Sequence, residues 1–193
     1  MSHFFAFLSR MKFIQRWGLM RNTMPENIQE HSLQVAMIAH GLAAIRNTYF
    51  KGEIDAAKVA VLGMYHEIAE VFTGDLPTPV KYFNPQIKDI YKDIENMAQK
   101  NLYNMLPDEL KNTYSNLLIR KDEDTELWRI VKAADKISAY LKCVEELKAG
   151  NQEFSVALKM IRQELDASNL PEVKYFMEIF APSFSLSVDE LNY

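Results

Sequence analysis

His31, the adjacent pair His66-Glu67 and the distant Asp135 are the residues whose types point to chemistry. Each is expected at or near the inner face of a helix, where an uncompensated polar or charged group is costly. Two imidazoles and two carboxylates meeting in a helical core make a mixed nitrogen and oxygen site suited to a divalent cation. A cation with open positions activates water near neutral pH, so the default chemistry is metal-assisted hydrolysis.

The elements that must position these residues are helices. Only 6 glycines and 7 prolines punctuate the 193 residues, no run alternates as a strand would, and the chain is of one-domain length. The expected fold is all-α, a single helical bundle over residues 1–193. The spacing predicts helices over 2–16, 28–47, 55–72, 86–106, 108–119, 125–149, 153–167 and 171–180. Asn27 and Glu30 form a capping box at the second of these. Residues 73–79, Thr-Gly-Asp-Leu-Pro-Thr-Pro, are the strongest loop signal, and residues 121–126 are a solvated charge run.

On these helices His31 continues the stripe Val35, Ile38, Leu42 and Ile45 in the first turn, where the helix dipole favours a neutral imidazole. By itself it reads equally as a core histidine bonded to a neighbour. His66 and Glu67 close the nearly all-apolar third helix. Successive helical residues diverge by about 100°, so both reach one ion only if it lies over the edge between them. Glu70 follows one turn later on the same side. Asp135 borders the buried stripe of Leu127, Ile130, Ala134, Ile137 and Leu141, and needs either a cation or a salt bridge from Lys132 or Lys136.

Composition excludes several classes. A net charge of −4 argues against a nucleic acid polymer as partner, because backbone binding needs a dense cationic surface. A small anionic substrate remains allowed. Cys143 is the sole cysteine, so no intramolecular disulfide forms, as suits a cytoplasmic protein. No apolar run approaches the ~18 residues of a membrane span, and the N-terminus lacks the pattern of a signal peptide.

The order His31, His66 with an acidic neighbour, then Asp135 resembles the HD-domain metal phosphohydrolases, and within them the bacterial YfbR-like 5'-deoxynucleotidases. The resemblance rests on Arg16-Trp17 with the following Leu-Met-Arg-Asn, on Glu-His-Ser-Leu-Gln-Val-Ala at 30–36, on Met64-Tyr65-His66 running to Glu70-Val71, and on Gly-Asp-Leu-Pro-Thr-Pro-Val-Lys-Tyr-Phe-Asn at 74–84. Segments at 139–143 and 175–180 also match, so it covers almost the whole chain. It implies hydrolysis of deoxyribonucleoside 5'-monophosphates to deoxyribonucleoside and phosphate. His31, His66, Glu67 and Asp135 would hold a divalent transition metal such as Co2+ or Mn2+. Arg16 would orient the phosphate and Trp17 would close the sugar pocket. Asp75, Leu76, Pro77 and Thr78 would contact substrate, as would Glu67 and Asp135 beside the metal, with deoxyribose preferred over ribose. Glu70 would do acid/base work, and similar proteins form homodimers.

The chain departs from the family at one letter, because Glu67 stands where the pattern has Asp. Its carboxylate reaches one methylene further, about 1.5 Å, and a misplacement of about 1 Å can cost about 10²-fold in rate. A working variant, a slower enzyme with altered metal preference, and a nucleotide-binding protein with impaired catalysis all stay open. The alternative reaction is that of another HD phosphohydrolase, on a nucleoside triphosphate or cyclic nucleotide.

Overall fold

The computed structural model describes residues 1–81, 83–119 and 125–192, without the side chains of 78, 79 and 125. Its helices are α1 (Phe4–Leu8), α2 (Ile28–Tyr49), α3 (Ala56–Tyr65), α4 (Glu70–Thr73), α5 (Thr78–Lys81), α6 (Pro85–Asn104), α7 (Asp108–Leu118), α8 (Thr125–Lys148), α9 (Ser155–Asp166) and α10 (Pro171–Ile179). No strand occurs among the described residues beyond an isolated antiparallel bridge between Gln15 and Asn27. The fold is all-α. Most of the expected charge run at 121–126 lies outside the described residues.

The chain forms two compact units that interleave in sequence. The first comprises residues 1–21, 25–33 and 64–125, and its core joins Phe4 to Ile68, Leu102, Leu106 and Leu118. The second comprises residues 22–24, 34–63 and 126–193. There Val35, Ala39, Leu42, Leu62, Ile137 and Leu141 are fully buried. Gly63 lets α3 approach α2 closely, since a Cβ at this position would lie 2.8 Å from Ala36 Cα. Phe154 and Cys143 are buried in the same unit.

Two expected helices break, and both breaks position functional residues. The helix expected over 2–16 stops at Leu8, passes through a 3-10 turn at Ser9–Phe13, and becomes extended at Ile14. The cause is pairing with the segment ahead of α2. Ile28 N donates to Ile14 O at 2.9 Å, and Arg16 N donates to Glu26 O at 2.8 Å. Arg16 is thereby carried to the start of α2 rather than to the end of a helix.

The helix expected over 55–72 divides into α3 and α4. Between them Ile68 N bonds Tyr65 O and Glu70 N bonds Glu67 O, so the chain winds through a tighter i to i+3 turn. No glycine or proline occupies residues 64–73, and the sequence carries no signal of this break. Gly74 ends α4 with φ of 69°, a conformation natural to glycine. The 73–79 stretch is shorter as a loop than expected, because Thr78 already opens α5.

Candidate metal centre

The capping box predicted at α2 is formed. Asn27 Oδ1 accepts from Gln29 N and Glu30 N, each at 3.0 Å, and Asn27 N donates to Glu30 Oε2 at 3.3 Å. This fixes the helix start and sets His31 in its first turn, fully buried. His66 reaches it from the turn after α3, with ring centroids 5.2 Å apart and planes at 53°. Glu67 Oε1 lies 3.5 Å from His66 Nε2. His31, His66 and Glu67 each offer one ligand atom, all within 4.8 Å of one another. His66 and Glu67 lie on the turn at 66–69 rather than on a continuous helix, and their ligand atoms nonetheless approach each other.

Two imidazoles and a carboxylate at this spacing fit a divalent cation of borderline softness, the donor set expected for a transition metal. Asp135 lies on α8 in the second unit and is half-buried. Lys136, one of its two expected salt-bridge partners, instead pairs with Glu164.

Arg16 Nη1 donates to Glu26 Oε2 at 2.6 Å. Glu26 Oε1 stands 4.0 Å from His31 Nδ1. Glu26 was not among the residues expected from sequence, and nothing in its spacing marks it. The Arg16 guanidinium lies 5.8 Å from the Trp17 ring, and Trp17 has φ of 59°, which is uncommon for a bulky residue. Arg16, Trp17, Leu19, Met20, Asp75 and Pro77 line one cavity of about 220 Å³. Leu76 is half-buried between the last two. The expectation for the Thr78 side chain falls outside what is described.

Glu70, in α4, is 1% exposed. Its Oε1 accepts from Lys81 Nζ at 3.0 Å, while no described donor reaches Oε2. Burial pushes its carboxyl up to about 9, with Glu67 adding to the rise and Lys81 opposing it. For Lys81, burial favours the neutral amine, but Glu70 and Glu67 outweigh it and hold the ammonium above its ordinary value. Lys81 Nζ also sits 5.2 Å over the Tyr91 ring.

A family model described as 5'-deoxynucleotidase YfbR-like matches residues 3–184. The chain is 54% identical over 191 residues to 5'-deoxynucleotidases YfbR of Salmonella paratyphi B and Shigella boydii serotype 18, covering 99% of this chain and 96% of each relative. Among solved structures, an HD-domain phosphohydrolase from Listeria innocua superposes with a TM-score of 0.82 at 22% identity, over 98% of this chain and 92% of that one. A cyanophage S-2L HD phosphohydrolase bound to dA and one catalytic Zn2+ ion gives 0.63 at 20% identity, over 92% and 96%. At these identities the two structures speak to the fold.

Proposed function

The chain belongs to the YfbR-like 5'-deoxynucleotidase family, and from this premise we infer that it is a metal-dependent phosphomonoesterase that cleaves deoxyribonucleoside 5'-monophosphates to deoxyribonucleoside and phosphate. The observation that carries the reading is the convergence of ligand atoms of His31, His66 and Glu67 to within 4.8 Å of one another, close enough for one ion to be shared. The ligand set we propose is these three with Asp135, the last on the strength of the family likeness. A divalent cation held there supplies Lewis acidity toward the phosphate and activation of the attacking water. Cobalt or manganese suits the nitrogen and oxygen donors.

The chain's own residues do the remainder. Arg16, fixed by Glu26 at the mouth of the cavity, offers a planar fork matched to a phosphate dianion. That cavity lies below the roughly 300–1,000 Å³ of a whole-ligand pocket, so it accepts part of the nucleotide. Trp17 gives it a flat apolar wall. Asp75, braced by Pro77, accepts a hydrogen bond from the sugar 3'-hydroxyl, and a wall close to C2' disfavours ribose. Glu70 handles the proton of the attacking water or of the departing 5'-oxygen. Leu76 on the loop and Thr78 at the start of α5 complete the proposed substrate contacts, and Glu67 and Asp135 would serve as substrate contacts as well as metal ligands.

The family likeness also supports a cytoplasmic homodimer as the working form. Among the described residues no helix is long and apolar enough to cross a membrane.

Phosphate release from dAMP, AMP, dATP and cyclic AMP, each with added Mn2+ or Co2+, tests the reading. The expected result is rapid release from dAMP and poor release from AMP. Triphosphate release from dATP, or opening of the cyclic ester with dAMP untouched, would replace it with another HD phosphohydrolase reaction.

A further inference from the structure

Lys81 lies outside the ligand set and outside the substrate contacts assigned above, yet its placement is highly specified. It ends α5, and its ammonium makes two approaches within the first unit, in surroundings that favour its charge. Nζ donates to Glu70 Oε1 at 3.0 Å, rests 5.2 Å over the Tyr91 ring of α6, and is held cationic by the acids around it. Glu95, on the same helix as Tyr91, adds a further nearby carboxylate. Tyr91 is in turn steadied by Thr73, whose Oγ1 lies 3.4 Å from the phenol oxygen.

The consequence falls on Glu70. A glutamate has three side-chain torsions, and a buried one with no anchor would sample several positions for its carboxyl. Here one oxygen is fixed by a charge-assisted hydrogen bond. The other is buried without a described donor. A carboxyl held by one oxygen presents the second in a defined direction, which is the geometry required of an atom that gives or takes a proton.

We propose that Lys81 is a positioning residue for the hydrolysis, clamping Oε1 of Glu70 so that Oε2 is the atom that exchanges the proton, with Tyr91 as the surface against which the clamp is set. The proposal rests on the reading of Glu70 as the acid/base group of the deoxynucleotidase. It separates Lys81 from Arg16, because a clamp on Glu70 acts on turnover whereas a second phosphate cation acts on substrate affinity.

The test is steady-state hydrolysis of dAMP with saturating Mn2+ by wild type, Lys81→Met, Lys81→Arg, Glu70→Gln and the Lys81→Met/Glu70→Gln double variant. Lys81→Met is expected to lower kcat by about 10²-fold, the scale of a misplaced catalytic group, while KM stays within about twofold. Lys81→Arg, which keeps the charge and a donor, restores roughly tenfold of that loss. In the Glu70→Gln background Lys81→Met adds no further loss, since residues acting as a unit are non-additive.

Unchanged kcat in Lys81→Met, a rise in KM at constant kcat, or full additivity in the double variant overturns the proposal. Manganese stoichiometry equal to wild type confirms that the variant is folded around its site. Should Lys81→Met fail to fold, Tyr91→Leu carries the test. It removes the ring and keeps the ammonium, so kcat falls with KM unchanged if the clamp is real and stays at the wild-type value if it is not. A wild-type protein inert toward dAMP would instead overturn the deoxynucleotidase reading itself.

Discussion

Arg16 and His31 share one carboxylate: Glu26 Oε2 accepts from Arg16 Nη1 at 2.6 Å while Glu26 Oε1 stands 4.0 Å from His31 Nδ1. The proposed phosphate clamp and a proposed metal imidazole are thus referenced to the same group, which is only 13% exposed along its side chain. Glu26→Gln removes the charge and keeps the shape. A hydrogen bond to a charged group is worth about 1.5–3 kcal/mol, so kcat/KM for dAMP should fall about 10–100-fold. Steady-state kinetics check this, and a variant at wild-type efficiency would mean that Arg16 needs no such support.

The replacement at position 67 has a defined expectation. Glu67 sits on a tight turn rather than on a helix, with its carboxylate 3.5 Å from His66 Nε2. Glu67→Asp should keep or raise turnover of dAMP, and Glu67→Ala should lose metal. Metal content by mass spectrometry alongside phosphate release decides it; an aspartate variant without metal would show that the extra methylene is required here.

How much of this was legible in the sequence depends on the kind of interaction. Helices bounded by local chemistry were readable: the Asn27–Glu30 box sets the start of α2, and Pro171 opens α10 at the expected residue. The clustering of His31, His66 and Glu67 was foreshadowed because polar groups at the edge of apolar helices stand out. The breaks after Leu8 and Tyr65 were not: the first is set by pairing of residues 14–16 with 26–28, and the second is a local i to i+3 turn at 65–70 that no glycine or proline marks. Glu26 escaped notice for the same reason, as its partners are defined only once that pairing exists. Lys81 lies in the 74–84 segment that carries the resemblance, but its pairing with Glu70 has no signal in the sequence.

Gly63 sets the close approach of α3 to α2, the helix that carries His31. A Cβ there meets Ala36 backbone at 2.8 Å and 3.0 Å, and neither atom can move without shifting α2. Overpacking of this kind costs about 1–3 kcal/mol. For a chain of this length that lowers Tm by about 2–12 °C. Differential scanning calorimetry of Gly63→Ala reads the shift directly, and an unchanged Tm would show that the contact is relaxed at little cost.

Acid stability should depend on Glu146. Burial raises its carboxyl, but hydrogen bonds from Lys142, Thr23 and Asn151 outweigh that and hold it well below the ordinary carboxylate range. A group depressed in the folded state contributes stability above its unfolded value, and loses it as pH falls through the folded one. The contribution is therefore complete at neutral pH and declines below about 4.5. In urea titrations across acid pH, Glu146→Gln should be less stable at pH 7 and show a shallower acid decline; parallel curves would contradict the assignment.

The most direct trial of the central claim is metal reconstitution. Protein stripped by chelator is titrated with Mn2+ while phosphate release from dAMP is followed. No release from the stripped protein, with activity rising to a plateau at one equivalent of ion per chain, is the predicted result. Full release from stripped protein, or inertness at every concentration of Mn2+ and Co2+, would contradict it.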